Sequence, residues 1–436
     1  MKKTAELTFL LIIFVMAAGC KSTPSDTDSS EKVRDIFAGT ASAFILRGDN
    51  TLWGAGYNRS GQLGLGQATP GEILQGGTQG DGTGPSSEEP QIACINNDTG
   101  TPFTGIKSVV AGENHTVILK DDGTVWGAGD SSDGELGQDG GQLLVFTQLK
   151  ADGNPLSGVK AVAAGNNSTF YISGDDSLWT AGYNYYGELG LGNRDKQSSF
   201  KKVESAGQNV KTLAAGIRHT ALLKEDGTLW TAGYNYNGQL GLGAGASGDP
   251  EDQNSFTEVK SVGSGITAVA AGNYHTVILK SDGSVWGAGS NYWGQLGFPD
   301  TDNRLTFTQL NDEKGNPLTG VKEIAARGDI TVILRSDGSL LLAGNYSESQ
   351  AVYEQDTDAE ENDAKQNDVK SKFVSLAPDK GSASSFGTVK KIVLGNKSVY
   401  VIDSNDRLWA AGSNRYGQLH LGFDTESSST LKPINP

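Results

Sequence analysis

The chain has 436 residues, 60 of them glycine, only two cysteines and four histidines, and a net charge of −16 from 35 bases against 51 acids. So acidic a surface repels phosphate backbones and anionic lipid headgroups, which excludes nucleic acid as the expected partner. No Cys/His spacing suggests zinc, and no cofactor is expected.

In chain order, Lys2 and Lys3 precede an apolar run from Leu7 to Ala18 that closes on Ala17-Ala18-Gly19-Cys20. A basic start, about a dozen apolar residues and a small-residue cleavage site make a secretory signal over residues 1–19, too short to span a bilayer. A cysteine directly after the small residues resembles the bacterial lipoprotein signal, so Cys20 is the expected lipidation site. Ala17, where Leu is commoner, and Glu6 depart from that pattern. Two or more acyl chains, at about 0.8 kcal/mol per buried CH₂, would anchor the chain durably. Residues 20–32 are polar, contain Pro24 and read as a flexible tether. The expected location is the cell envelope, lipid-anchored and extracytoplasmic, at an outer membrane or cell surface.

From about Ala38 to Gly422 one phrase returns seven times. Its tryptophan falls at Trp53, Trp126, Trp179, Trp230, Trp286 and Trp409, with Leu341 in the sixth copy, at spacings of 73, 53, 51, 56, 55 and 68 residues. That period suits a small sheet per copy, and such units must stack to bury their apolar faces. Each copy holds four short β-branched segments, a to d. In the fifth they are Ile266–Ala271, Thr276–Lys280, Ser284–Ala288 and Phe307–Leu310. Asp122-Gly123, Asp226-Gly227, Asp282-Gly283 and Asp337-Gly338 between b and c are hairpin signals. Asp49-Asn50, Asp175-Asp176 and Asn405-Asp406 tolerate positive φ in the other copies. The reading is all-β: residues 33–436 form a seven-bladed β-propeller of four-stranded antiparallel blades, with insertions over about 67–101 and 345–371. Whether blades coincide with the copies is left open, and a monomer is expected.

AAGIRHTALLKEDGTL at 214–229 followed by WTAGYNYNGQLGLG at 230–243 resembles the repeat of the regulator of chromosome condensation family. The resemblance covers about nine tenths of the chain and implies seven propeller blades. The sixth copy departs from it at Arg327, Ile330 and Leu341 and lacks the GQLGLG tail. The family namesake is a nucleotide exchange factor for a nuclear GTPase; a secreted acidic relative would meet neither that GTPase nor chromatin, so exchange activity rests on the family name alone.

Alternation of strands puts the a–b and c–d loops on one face and the b–c turns and d–a connections on the other. The c–d loops keep an Asn/Gly frame (Asn58/Gly61, Asn184/Gly187, Asn235/Gly238, Asn291/Gly294, Asn414/Gly417), read as serving backbone needs. The framed positions vary: Arg59, Tyr185, Tyr186, Tyr236, Tyr292, Trp293, Arg415 and Tyr416. Arg218 and Tyr274 join them from the a–b tips. Rigid loops showing Tyr, Trp and Arg have the composition of protein-recognition surfaces. The inner Tyr57, Tyr183 and Tyr234 read as packing residues. His115, His219 and His275 share one repeat position and read as hydrogen bonds between blades; His420 replaces a glycine. The acidic stretch after Asn345 lacks the glycine and the final glutamate of a calcium loop. No carboxylate pair is marked out for hydrolysis, so no enzyme activity is expected. The expected function is a tethered module binding a protein or peptide, with lectin-like binding of envelope glycans as the alternative.

Overall fold

The computed structural model describes residues 32–68, 93–97, 100–244, 251–312, 314–346, 372–379, 381–414, 418–419 and 427–434. Residues 20–31 of the tether, Cys20 included, with Arg415, Tyr416, His420 and most of both insertions, lie outside them. Seven four-stranded antiparallel sheets, each in sequential strand order, make the seven blades. Blades and sequence copies coincide. The first blade comprises Val33–Ala38, Ser42–Arg47, Leu52–Gly56 and Ala93–Cys94. The seventh comprises Val389–Leu394, Ser398–Asp403, Leu408–Ser413 and Ser427–Ile434.

The hydrophobic pattern follows position in the blade. Strand b is sandwiched between neighbouring blades and buried on both sides, as in His275–Lys280. Strand d is outermost and mostly half-buried, with Phe256 alone buried in Gln253–Glu258. The core is therefore seven wedges, one between each pair of neighbours. One wedge joins Phe170, Ile172 and Leu178 of the third blade to Leu222 and Ala232 of the fourth. Another joins Ile36 and Ile45 of the first blade to Tyr400, Ile402 and Leu408 of the seventh. Ring closure thus rests on side chains across a seam, with no strand shared between first and last blades. The Asp35 carboxylate and the Lys391 ammonium pair across that seam.

The b–c turns are three-residue loops, one longer than the Asp-Gly signal by itself implies. Lys280 N–H donates to Ser284 O and Gly283 N–H to Lys280 O, both at 2.9 Å. Gly283 takes φ 79°, and Asn50, Asp176 and Asp406 take 64°, 64° and 58° at the same place. The aspartate before it ties the turn to the repeat's tryptophan. Asp226 accepts the Thr228 hydroxyl at 2.7 Å, and Thr228 accepts Trp230 Nε1–H at 3.1 Å. Lys224 lies 4.2 Å above the Trp230 ring. This face is built for folding. Lys32 lies on it, its carbonyl accepting the N–H of Gly48 in the first b–c turn at 2.8 Å.

The sixth copy still makes a complete sheet, with Leu341 buried in the tryptophan's place and paired to Ser375.

Candidate functional site

The a–b and c–d loops do share one face. Tyr183 N–H donates to Asn167 O at 2.9 Å and Tyr234 N–H to Arg218 O at 2.8 Å, tying the end of strand c to the a–b tip of its blade. The Asn/Gly frame works by two devices. Asn184, Asn235 and Asn291 are buried, and each Oδ1 accepts the N–H five residues on, at 2.9–3.0 Å. Positive φ belongs to the glycine alone (84° at Gly187), so the asparagine supplies a hydrogen bond where an unusual backbone was expected.

On this frame Tyr185, Tyr236 and Tyr292 stand 63%, 72% and 54% exposed, the large hydrophobics most open to solvent among the described residues. The rings connect. Tyr185 meets Tyr186 at 5.1 Å, Tyr186 meets Tyr234 at 4.8 Å, and Tyr234 meets both Tyr236 at 6.3 Å and Tyr274 at 6.1 Å. Arg218 lies 4.8 Å above Tyr186 and donates to its hydroxyl at 3.1 Å. Tyr234, expected only to pack, links the third blade's rings to the fourth's, and Tyr183 meets Tyr185 within its own blade at 6.5 Å. Tyr292 and Trp293 form a separate pair at 5.0 Å. Arg59, in the first blade, is exposed and apart from the chain of rings. Most of these contacts are edge-to-face, an arrangement that aromatic pairs favour and that helps hold the rings in place.

Two acids under this surface escaped the sequence reading. Glu135 and Glu188 take the place of the glutamine in GQLG and are 1% and 3% exposed. Glu135 accepts the Asp133 N–H at 2.9 Å and Asn167 Nδ2–H at 3.4 Å. Glu188 accepts the Tyr186 N–H at 2.9 Å, while its Oε1 has no hydrogen-bond partner among the described residues. Burial pushes both carboxyls up to about 7, and for Glu188 the nearby Arg218 offsets part of that rise. The glutamate sits where the next blade's tip offers a donor, Asn167 or Arg218. Gln295 instead precedes a blade whose tip carries Asp329. A glutamine-to-glutamate exchange within a repeat was visible; its burial was not.

The histidines are interblade ties. Nε2 of His115, His219 and His275 lies 3.1, 2.9 and 3.0 Å from the hydroxyl of Thr169, Thr276 and Thr331 in the next blade. Burial holds them down at about 4, 4 and 3, so they are neutral at physiological pH.

Seven radial sheets make a propeller that carries aromatic loop tips on one side. The chain belongs to the RCC1-like domain family, which it matches over residues 71–435. It is 30% identical over 321 residues to the ultraviolet-B receptor UVR8 of Arabidopsis thaliana, covering 72% of this chain and 65% of that one. It is 36% identical over 136 residues to the secretion-regulating guanine nucleotide exchange factor of Bos taurus, covering 30% of this chain and 28% of that protein. The matched part is thus under two thirds of either relative's length. Human WBSCR16 superposes with a TM-score of 0.65 at 19% identity, over 88% of this chain and 93% of that one, a likeness of fold.

Proposed function

We propose that the protein is a non-catalytic binding module that grips a protein or peptide through Tyr185, Tyr186, Tyr236, Tyr274, Tyr292, Trp293 and Arg218. The supporting observation is that three tyrosines more than half exposed stand on one side of the ring, on loops already fixed by buried asparagines. Rigid aromatic tips lose little entropy on binding and bury much area, the property of interface hot spots. Single Tyr185→Ala, Tyr236→Ala and Tyr292→Ala variants should each weaken partner capture by about 10-fold or more, on the order of 1–2 kcal/mol apiece, without shifting the melting temperature. Unchanged capture by all three in a crosslinked envelope extract would refute the reading. The open ring faces of Tyr185 and Tyr236 also suit stacking on sugars, and a glycan array separates that second reading. The exchange activity named for the bovine relative is no part of this proposal.

The module is proposed to hang from a bacterial envelope by acylated Cys20. A Cys20→Ser variant should then leave the membrane fraction. Cys94, the only other cysteine, is disulfide-bonded in this structure, so an anchor on Cys20 requires that bond to be absent from the membrane-bound protein; non-reducing mass spectrometry that finds it there refutes the anchor.

A further inference from the structure

One position on strand a breaks the repeat. Six copies carry glycine just ahead of the a–b tip: Gly39, Gly112, Gly165, Gly216, Gly272 and Gly395. The sixth carries Arg327. The glycine is required where a histidine lies beneath it, since a Cβ on Gly272 would come within 2.0 Å of His275 Cε1. In the sixth blade Ile330 replaces that histidine, and the position takes a side chain directed at the ring's centre. Arg327 Nη2–H donates to Ala111 O, two residues that belong to the sixth and second blades, at 2.6 Å.

The centre is a cavity of about 340 Å³ walled by the innermost strands, with Ala163, Ala214, Ala270 and Val393 among its lining. Two cations reach this wall, Arg327 and Lys391. Lys391 is neutralised by Asp35. Arg327 forms no ion pair with a carboxylate among the described residues. A guanidinium has five N–H donors, and one hydrogen bond from it is seen. Desolvation lowers it only to about 10, so it stays charged at neutral pH. Arg327 is part-buried at the wall of this open cavity, and a guanidinium with no carboxylate beside it leaves room for an anion.

We infer that the central cavity at Arg327 binds a small aliphatic monocarboxylate. The guanidinium fork matches a carboxylate in two-pronged geometry. The alanine and valine side chains of the wall offer contact to an aliphatic tail. The volume lies at the low end of small-ligand sites, enough for a few carbons beyond the carboxylate. A phosphate dianion would bring a second charge with no second free cation to meet it.

The test measures thermal unfolding and calorimetric binding of the purified full-length protein with sodium butyrate, phosphate or chloride at equal ionic strength. Butyrate should bind saturably and raise the melting temperature beyond either inorganic anion. Arg327→Gly restores the residue of the other six copies and should abolish that gain while leaving partner capture by the tyrosine face intact. Equal stabilisation by butyrate with and without Arg327, no butyrate binding at all, or an equal effect of chloride and phosphate would each overturn the inference. If the glycine variant does not fold, saturation-transfer NMR from the native protein to butyrate decides: transfer supports the site and its absence overturns it.

Discussion

At the scale of single residues, two sets of buried titratable groups pull stability in opposite directions with pH. Glu135 and Glu188 have folded values of about 7, raised from an ordinary 4.5 by burial. Their contribution is whole below pH 4.5 and is lost as pH rises through 7, where the fold must hold a buried anion. Glu188→Gln, which installs the residue found at the same place in four other copies, should therefore stabilise by about 2 kcal/mol at pH 8 and by little at pH 5. Denaturant titrations at both values check this; an equal gain at both would show that the carboxyl is not titrating in that window. The three buried histidines act oppositely, because their folded values lie below the ordinary 6.5. Unfolded chains take up protons below pH 6.5 that the ring refuses, so their contribution falls away from pH 6.5 down to about 4. The acid limb of a stability profile should flatten when His219 is replaced by serine, the residue the first, third and seventh copies use there.

At the scale of the element, the blade was legible and its joints were half so. Tryptophan spacing, b–c turns and β-branched runs named the strands, because they are set by neighbours within a few residues. The shared position of His115, His219 and His275 pointed to a tie between blades, and each does meet the next blade's threonine. Removing one side of such a tie leaves a cavity and an orphaned hydroxyl; His219→Ala should cost about 2–3 kcal/mol in equilibrium unfolding. Other features were hidden because their partners are remote in sequence. Nothing local distinguishes the buried Glu188 from an exposed acid. Arg327 reads locally as an irregularity of the sixth blade, yet it bonds to a carbonyl 216 residues away. The exposed tyrosines were legible as variable positions in a constant frame, but not the contacts through Tyr186 and Tyr234 that join Tyr185 to Tyr236.

At the scale of the whole molecule, the ring is a chain of similar interfaces of which one is not backed by chain continuity. Six wedges join blades that follow each other in sequence; the seventh joins first to last through Ile36, Ile45, Tyr400 and Ile402. That seam should be the first to open. Ile36→Ala should cost about 3 kcal/mol and speed amide exchange in blades one and seven ahead of the other five, as expected of a one-dimensional array losing its end contact. Uniform acceleration around the ring would show that the seam is no weaker than its neighbours.

Where the ring is entered has a consequence for which way it looks. The backbone reaches strand a of the first blade from Lys32, which is pinned beside a b–c turn, so whatever precedes it departs from the underside. A support holding the protein by that leading segment would lie against the aspartate turns. Anything diffusing in from the open medium would meet the tyrosines first.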